Sequence, residues 1–256
     1  MSLSYTPKTW VEKKTKIHAE DMTRIEQGIQ TVTQAVKELP SSPAASSNAL
    51  TPEQFGAVGD GVADDTEALV AAMTAASEKK QPLELKSTAT YRYCSYIKLP
   101  DDLILHGNHA ILLSDFRDGG YCLGSEGRSM QDWSHDIRLE NVQFKCAASC
   151  TSRYILRFMR TRDVLVKGCM FECDINDYSR GCVDVYGACE NIIFEQNVFR
   201  QLSAHAEGGL WVRSWTNAVD TKNIRFLNCD FYKAGGDEVL AVWGWGGHVR
   251  DVLISG

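Results

Sequence analysis

Four acidic residues in the second half of the chain are of the type that could cleave a sugar linkage. They are Asp184, Glu207, Asp237 and Glu238, which lie within or just before short apolar runs. Hydrolysis of a glycosidic bond needs two flanking carboxyl groups, and one of them must have a raised pKa so that it stays protonated. Acids in solvated loops are also common, so these four residues are candidates for catalysis and no more.

Aromatic and basic residues accompany these acids along four strand-like runs, YILRFMR, GCVDVYG, GLWVRSW and VLAVWGW. If the paired apolar residues of each run face inward, the residues between them face solvent: Arg157, Asp184, Trp211 and Ala241. The next outward row is Met159, Tyr186, Arg213 and Trp243, followed by Trp215 and Trp245. Aromatic rings stack on sugars, and charged groups orient hydroxyls and carboxylates. We therefore predict substrate binding by Arg157, Tyr186, Trp211, Arg213, Trp215 and Trp243.

Two alternatives to hydrolysis and to sugar binding stay open at this point. A lyase would need a base and a cation that neutralises a uronate, and Arg157 and Arg213 could serve. The tryptophans could also pack under a loop or against a neighbouring subunit, because one sequence does not show which way each side chain faces.

The second half of the chain repeats. HDIRLENVQF, RDVLVKGCMF, ENIIFEQNVF and KNIRFLNCDF can be laid over one another, and their final phenylalanines are 27, 28 and 32 residues apart. Each unit holds alternating apolar residues and a turn-like Asn, Gly or Gln before its final Phe. A period in this range with alternating apolar residues predicts coils of a parallel β-helix. An inward ladder is then expected from Phe144, Phe171, Phe199 and Phe231. A second column beside it would be Val142, Cys169, Asn197 and Cys229, with no redox role for the cysteines.

A fifth unit, RDVLISG, stops at Gly256, where the turn residue of the unit belongs. A β-helix that ends within a coil exposes an unpaired edge. We expect either that the natural polypeptide continues beyond this point or that a partner chain closes the end.

The stretch FGAVGDGVADDTE, residues 55–67, resembles the opening motif of the pectate-lyase-like superfamily of right-handed parallel β-helix proteins. The resemblance covers about residues 53–256. It implies a β-helix that binds long glycans along one face. The clustered calcium-ligating aspartates that a true pectate lyase requires are not seen, which argues against that activity.

The same stretch has a structural explanation. Asp64 or Asp65 can cap the helix that TEALVAAMTAASEKK predicts, and Glu67 favours its positive end. Asp60 can tie the turn through its own backbone, and the glycines allow positive φ. We expect this helix to cover the open end of the β-helix. The acids are therefore interpreted as capping residues and not as catalytic ones, and their spacing does not match a calcium loop.

A heptad pattern marks the first part of the chain. Apolar residues recur in steps of three and four at Met22, Ile25, Ile29, Val32, Val36 and Leu39. This seam is typical of a coiled coil, and β-branched residues at both core positions favour three strands. We predict a homotrimer through residues 22–39, with a helix folded back on its own domain as the alternative. Residues 1–39 form the arm and the Pro- and Ser-rich residues 40–52 a linker.

The arm also resembles, in TPKTWVEKKTKIHAEDMTRIEQGI, the N-terminal segment of phage and prophage tail or appendage proteins of Gram-positive hosts. That resemblance implies attachment to phage tail or baseplate proteins. It also implies a place in the virion after synthesis in the host cytoplasm.

Composition excludes several classes of protein. A net charge of −6 argues against a nucleic-acid partner. The chain has no apolar run long enough for membrane insertion and no signal peptide at its start. Nine cysteines lack zinc-site spacing, because Cys146/Cys150 and Cys169/Cys173 are four apart, so we expect mostly buried thiols, no metal and no cofactor.

The sequence as a whole predicts an all-β protein: a right-handed single-stranded parallel β-helix with an N-terminal capping helix, preceded by a short coiled-coil helix. We predict a tail-spike or appendage-like protein that binds a bacterial surface polysaccharide and, as a hydrolase or lyase, depolymerises it. The alternatives are a non-catalytic structural or adhesive virion component and a free bacterial polysaccharide-degrading enzyme.

Overall fold

In the computed structural model the chain divides into two units, Met1–Ala44 and Ala45–Gly256. The structure describes residues 48–129, 131–151, 153–173, 181–202, 210–215, 220–233, 240–245 and 247–256. The predicted coiled-coil arm, its trimer contact and most of the linker lie outside the described residues, as do Glu207, Asp237 and Glu238.

The described part consists of strands with one α-helix and a short 3-10 turn, Pro52–Phe55. In chain order the elements are β1 (Asp60–Asp64), α1 (Thr66–Lys79), β2 (Leu83–Glu84), β3 (Thr90–Tyr93), β4 (Ile97–Lys98), β5 (Ile104–His106), β6 (Ile111–Ser114), β7 (Tyr121–Glu126), β8 (Ser134–Glu140), β9 (Gln143–Cys146) and β10 (Tyr154–Met159). They continue as β11 (Thr161–Lys167), β12 (Met170–Cys173), β13 (Gly181–Tyr186), β14 (Glu190–Glu195), β15 (Val198–Gln201), β16 (Leu210–Trp215), β17 (Thr221–Leu227), β18 (Asp230–Lys233), β19 (Leu240–Trp245) and β20 (Val249–Ser255).

These strands form three parallel sheets, and the chain visits the sheets in turn. Sheet A is β2-β5-β8-β11-β14-β17-β20, sheet B is β1-β3-β6-β9-β12-β15-β18, and sheet C is β4-β7-β10-β13-β16-β19. Every strand pairs with the equivalent strand one coil away, which makes a parallel β-solenoid of about six turns. The predicted parallel β-helix is thereby confirmed, while its right-handedness stays a prediction.

The predicted phenylalanine ladder runs through sheet B. Phe144 and Phe171 have ring centroids 4.8 Å apart, and the next two steps, to Phe199 and Phe231, are 5.1 Å each. The planes of adjacent rings are within 14° of parallel. Strands about 4.8 Å apart place equivalent side chains directly over one another, so the spacing of the rings follows from the backbone.

The second column lies beside the ladder, and Asn197 has a specific task there. Its side-chain carbonyl accepts from the Cys169 N–H at 2.8 Å, and its amide donates to the Val166 carbonyl at 2.8 Å. These bonds satisfy buried backbone groups where the chain turns from sheet A to sheet B. Burial raises the pKa of Cys169 to about 12, which agrees with the prediction that this thiol has no redox role.

In two files, each a column of equivalent residues from successive coils, every residue has a positive φ. The predicted turn residues Asn141, Gly168, Gln196 and Asn228 have φ of 54, 62, 56 and 51°. A second file, Asp136, Asp163, Asn191, Asn223 and Asp251, has φ between 54 and 56° at matching positions in sheet A. Asn and Asp tolerate this region better than other side chains, and here they bond from coil to coil, with Asn191 Nδ2 2.9 Å from Asp163 Oδ1.

The acidic loop before α1 is held by its own carboxylates. Asp65 lies at the N-cap, but its side chain accepts from the N–H groups of Val58 and Gly59 at 2.7 and 3.1 Å and does not cap the helix. Asp64 accepts from the Thr66 N–H at 3.1 Å, and Asp60 accepts from Val62 and Ala63 at 2.8 Å. These acids organise the loop, but neither Asp64 nor Asp65 caps the helix from the N-cap position, and Asp64 bonds only to the first N–H group of α1.

Helix α1 packs its small apolar residues into the core shared by the strands. Ala68, Leu69, Ala72, Met73 and Ala76 are buried there, and α1 lies against β2, β4 and β5. Its position beside the first coils is compatible with the capping role, which stays a prediction. Within the described residues, no helix is both long and apolar enough to span a membrane.

Candidate functional site

The outer face of sheet C carries most of the residues predicted to bind substrate. Pairing of β10, β13, β16 and β19 aligns Arg157, Asp184, Trp211 and Ala241 in one row and Met159, Tyr186, Arg213 and Trp243 in the next. The alternate residues, from Leu156 to Val212, are buried in the core. Both predicted rows therefore exist, because the repeat period sets which residues are neighbours across coils.

The prediction that the first row faces solvent is wrong for three of its four residues, while Arg157 is partly exposed. Asp184 is 0% exposed, and Trp211 and Ala241 are also buried, at 6% and 4%. They lie on the outer face, but the large side chains of neighbouring coils cover them. Trp211 packs in a small separate cluster with Tyr154 and Ala241, outside the main core.

Asp184 is engaged by two arginines. Arg213 donates from Nε and Nη2 to the two carboxylate oxygens, at 2.8 Å each, and Arg157 Nε lies 3.6 Å from Asp184 Oδ2. Burial raises the pKa of the Asp184 carboxyl, while its bonds to Arg213 act in the opposite direction. Because both oxygens of this buried carboxylate accept from Arg213, Asp184 is not placed to act on a glycosidic bond at the solvent-exposed surface. The geometry favours a role for Asp184 in positioning the two arginines over a role as catalytic acid.

Both guanidinium groups also lie against aromatic rings. Arg157 sits between Tyr121 and Tyr186, with Cζ 3.8 and 4.1 Å from the ring centroids. Arg213 Cζ is 4.8 Å from the centroid of Tyr186 and 5.0 Å from that of Trp211. Such stacking contributes about 0.5–2 kcal/mol per contact and fixes the plane of the cation. The result is a rigid band of alternating rings and cations, which we call the aromatic band: Tyr121, Tyr154, Arg157, Tyr186, Trp211, Arg213 and Trp243.

The band has an exposed end. The Trp243 ring lies against Trp211 in a tilted arrangement, with ring centroids 4.8 Å apart and planes at 59°, and it remains 44% exposed. An exposed tryptophan on a sheet face offers a flat apolar surface to a ligand. Trp215 ends β16 one step further along the strand. The segments 203–209 and 234–239, with Glu207, Asp237 and Glu238, lie outside the described residues.

A cleft of about 220 Å³ opens at the other end of the band. It is lined by Tyr96, Phe116, Tyr121, Ser125, Glu126, Arg157 and Met159, together with Gly120. Gly124 lies opposite Arg157 in the sheet, and a Cβ at this glycine would come within 2.5 Å of the Arg157 carbonyl oxygen. The absence of a side chain at Gly124 lets the backbones of β7 and β10 approach closely beside the cleft.

Glu126 is the acid of this cleft, and sequence reasoning missed it. It pairs with Met159 across the sheet and accepts from Arg160 at 2.6 Å. Glu126 lies in the run YCLGSEG, which precedes HDIRLENVQF just as YILRFMR precedes RDVLVKGCMF. The same alignment, extended one coil upstream, would have identified both Glu126 and Tyr121.

A larger cavity of about 610 Å³ lies on the outer face of sheet A. Its lining mixes aliphatic side chains with charged and amide groups, and two of its acids, Asp136 and Asp163, belong to the file of positive-φ residues. Asp163 already accepts from Asn191 at 2.9 Å, so these polar groups serve the fold. Among the described surfaces, the aromatic band is therefore the better candidate site for a sugar.

Comparison with known proteins identifies the fold. No family model matches the sequence, and no curated protein matches it. Among solved structures, the ORF18 protein of Geobacillus virus E2 is similar, with a TM-score of 0.58, 16% identity, and coverage of 94% of this chain and 52% of the viral one. This chain therefore spans about half the length of that viral protein.

Two further similar structures come from bacteria. The catalytic unit of a GH87 α-1,3-glucanase from Streptomyces thermodiastaticus has a TM-score of 0.52 and 15% identity, over 84% of this chain and 42% of the glucanase. PfbA, a surface adhesin of Streptococcus pneumoniae, has a TM-score of 0.50 and 13% identity, over 75% and 61%. At such low identity these likenesses show a shared β-solenoid fold and do not choose between an enzyme and an adhesin.

Proposed function

We propose that this chain binds a polysaccharide of a bacterial cell surface along the outer face of sheet C. The observation that carries the proposal is the aromatic band, which runs from the Arg157 cleft to the exposed Trp243. Rings and guanidinium groups from successive coils lie against one another and present a rigid and partly apolar track. A linear glycan needs such a track, because its sugar faces stack on rings while its polar groups bond to charges at the edges.

We assign two roles to the residues of the band, glycan contact and structural support. Tyr121, Tyr186 and Trp243 contact the glycan, with Arg157 and Glu126 orienting one sugar in the cleft. The buried Trp211 and Asp184, together with the partly exposed Arg213, form the support that fixes these side chains. The cleft is smaller than the ~300–1,000 Å³ of sites that enclose a drug-sized ligand, so it suits one residue of a longer chain.

Binding to a glycan array of capsular and cell-wall polysaccharides tests this proposal. We expect Trp243→Ala to weaken binding of the selected glycan at least ~10-fold, because an exposed aromatic anchor at an interface contributes about 2 kcal/mol. Tyr232→Ala is the matched control, since Tyr232 is an exposed aromatic residue on sheet B. Equal loss in both variants, or no loss with Trp243→Ala, would contradict a site on sheet C.

Cleavage of the bound glycan is the second candidate function. Glu207, Asp237 and Glu238 precede β16 and β19, the strands that carry Trp211 and Trp243, so they lie close to the band along the chain. Release of reducing ends would establish a hydrolase, and absorbance of an unsaturated uronate would establish a lyase. Binding without either product would identify an adhesin or a structural component.

We further propose that the protein works as a homotrimer in a phage tail or appendage, attached through its arm to tail or baseplate proteins. The heptad seam of residues 22–39 supports the trimer, and the resemblance of the arm supports the virion location. Sedimentation of the chain with and without residues 1–39 tests the first part. We expect a trimer to become a monomer on truncation, and a monomer in both forms would refute trimerisation by the arm.

A further inference from the structure

A polar file lies inside the solenoid at the end of sheet B, where apolar residues would be expected. Tyr93 pairs with Ser114, Ser114 with Cys146, and Cys173 with Gln201 in successive coils. Tyr93, Ser114 and Gln201 are all buried. A column of this composition inside an otherwise aliphatic and aromatic core carries a desolvation cost that packing alone does not explain.

Three thiols from different parts of one coil lie close together beside this file. Cys146 ends β9 in sheet B, Cys122 lies on β7 in sheet C, and Cys150 lies in the segment that joins β9 to β10. Their Sγ atoms are all within 4.8 Å of one another. The Cys173 thiol, one coil away, contacts Cys146 as well.

The surroundings of the thiols are polar and incompletely bonded. Ser114 Oγ lies 3.7 Å from Cys150 Sγ. Among the described residues, the buried Tyr93 hydroxyl finds no hydrogen-bond partner, and this side chain lies close to all three thiols. Buried polar groups usually have partners, so an unsatisfied hydroxyl beside the thiols indicates a site whose occupant would complete its bonding.

We propose that Cys122, Cys146 and Cys150 bind a thiophilic divalent metal ion of the zinc class, with Cys173 as the nearest fourth donor. Each thiol that binds the ion loses its proton to solvent as its metal–sulfur bond forms, and nothing is oxidised or reduced. A tetrahedral zinc site has Zn–S bonds of about 2.3 Å and therefore S–S distances of roughly 3.8 Å. Contraction of the cluster by about 1 Å at most satisfies that geometry. Tyr93 would then donate to a thiolate, which disperses the negative charge of the site.

The metal would cross-link the part of the coil that carries the sugar cleft. Cys122 is the neighbour in sequence of Tyr121, which lines the cleft and stacks on Arg157. Joining β7 to β9 and to the segment after β9 would hold Tyr121 in place. Cys146 is partly exposed, which gives the ion a path inward.

The test uses Cd²⁺ as a spectroscopic probe of zinc-class thiolate sites, on the full chain prepared reduced and metal-free. We expect the ultraviolet absorption of cadmium thiolate to saturate at one ion per chain and the thermal midpoint to rise, because an ion that binds only the folded state stabilises it. Cys150→Ser and Cys122→Ser should each weaken Cd²⁺ binding by more than the ~10–100-fold caused by loss of an outer-shell partner.

Cys189→Ser is the matched control, because Cys189 is also a buried thiol but contacts the Phe158 carbonyl, at 3.4 Å, at a different corner of the coil. This variant should bind Cd²⁺ as the unaltered chain does. The proposal is overturned if stoichiometric Cd²⁺ produces no thiolate absorption in the unaltered chain. It is also overturned if Cys189→Ser weakens binding as much as Cys150→Ser, or if mass spectrometry finds the three cysteines in disulfides when the chain is purified without reductant.

Discussion

Replacing Asp184 by alanine is expected to lower the free energy of unfolding by about 3–5 kcal/mol, since that is the cost of removing one partner of a buried ion pair. Arg213 donates two bonds to this carboxylate, and Arg157 lies 3.6 Å from it. Without the carboxylate, two guanidinium groups would face each other with no anion between them. The same variant should weaken glycan binding, because both arginines would lose the orientation that the aromatic band needs.

Urea denaturation of Asp184→Ala beside a surface control measures this effect. Asp132→Ala removes an exposed carboxylate 3.7 Å from Arg128 and should change stability by no more than about 0.5 kcal/mol. The double variant Asp184→Leu with Arg213→Met should recover part of the loss, because it removes both charges and fills the space with apolar groups. If Asp184→Ala unfolds at the same urea concentration as the unaltered chain, the pair does not hold the outer face together.

Replacing Phe171 by alanine is expected to cost about 3–5 kcal/mol, the range for truncating a fully buried aromatic ring. Phe171 stacks on Phe144 on one side and on Phe199 on the other, at 4.8 and 5.1 Å. In a solenoid each coil contacts only its neighbours, so a cavity at Phe171 weakens two interfaces between coils at once.

The same substitution at the end of the ladder provides the comparison. Phe231 is only partly buried and stacks on Phe199 alone within this ladder, so Phe231→Ala should cost less than Phe171→Ala. Both are measured by urea denaturation, with the slope of the transition checked for a change in the surface exposed on unfolding. An equal cost at both positions would contradict this expectation, because Phe171 exceeds Phe231 both in burial and in the number of stacked neighbours within the ladder.

Much of the fold could be predicted because each coil of a solenoid corresponds to one repeat of the sequence. The distance between Phe144 and Phe171 along the chain is one coil, so the period itself indicates that the rings meet. The turn residues Asn141 and Gly168 were also identified by type. The file from Asp136 to Asp251 was missed, although an Asp or Asn stands second in HDIRLENVQF, RDVLVKGCMF, ENIIFEQNVF and KNIRFLNCDF.

Less of the candidate site could be predicted. The alternation of apolar residues along each strand assigned Arg157, Asp184 and Trp211 to the outer face. It did not indicate how much of their surface neighbouring side chains would cover. The burial of Asp184 depends on Arg213 and Arg157, which lie on adjacent coils. The cleft at Glu126 depends on which side chains of β7 and β10 meet there, and the meeting of Cys122 with Cys146 and Cys150 depends on a corner between two sheets.

The amino-acid sequence by itself determined the stacking of coils and the membership of each file, because strand alternation and a near-constant period are local properties that repeat. Only the tertiary structure decided which polar groups bond and which side chains are covered. Those outcomes depend on side-chain volumes and directions in neighbouring files and at the corners between sheets, and no periodicity along the chain records them.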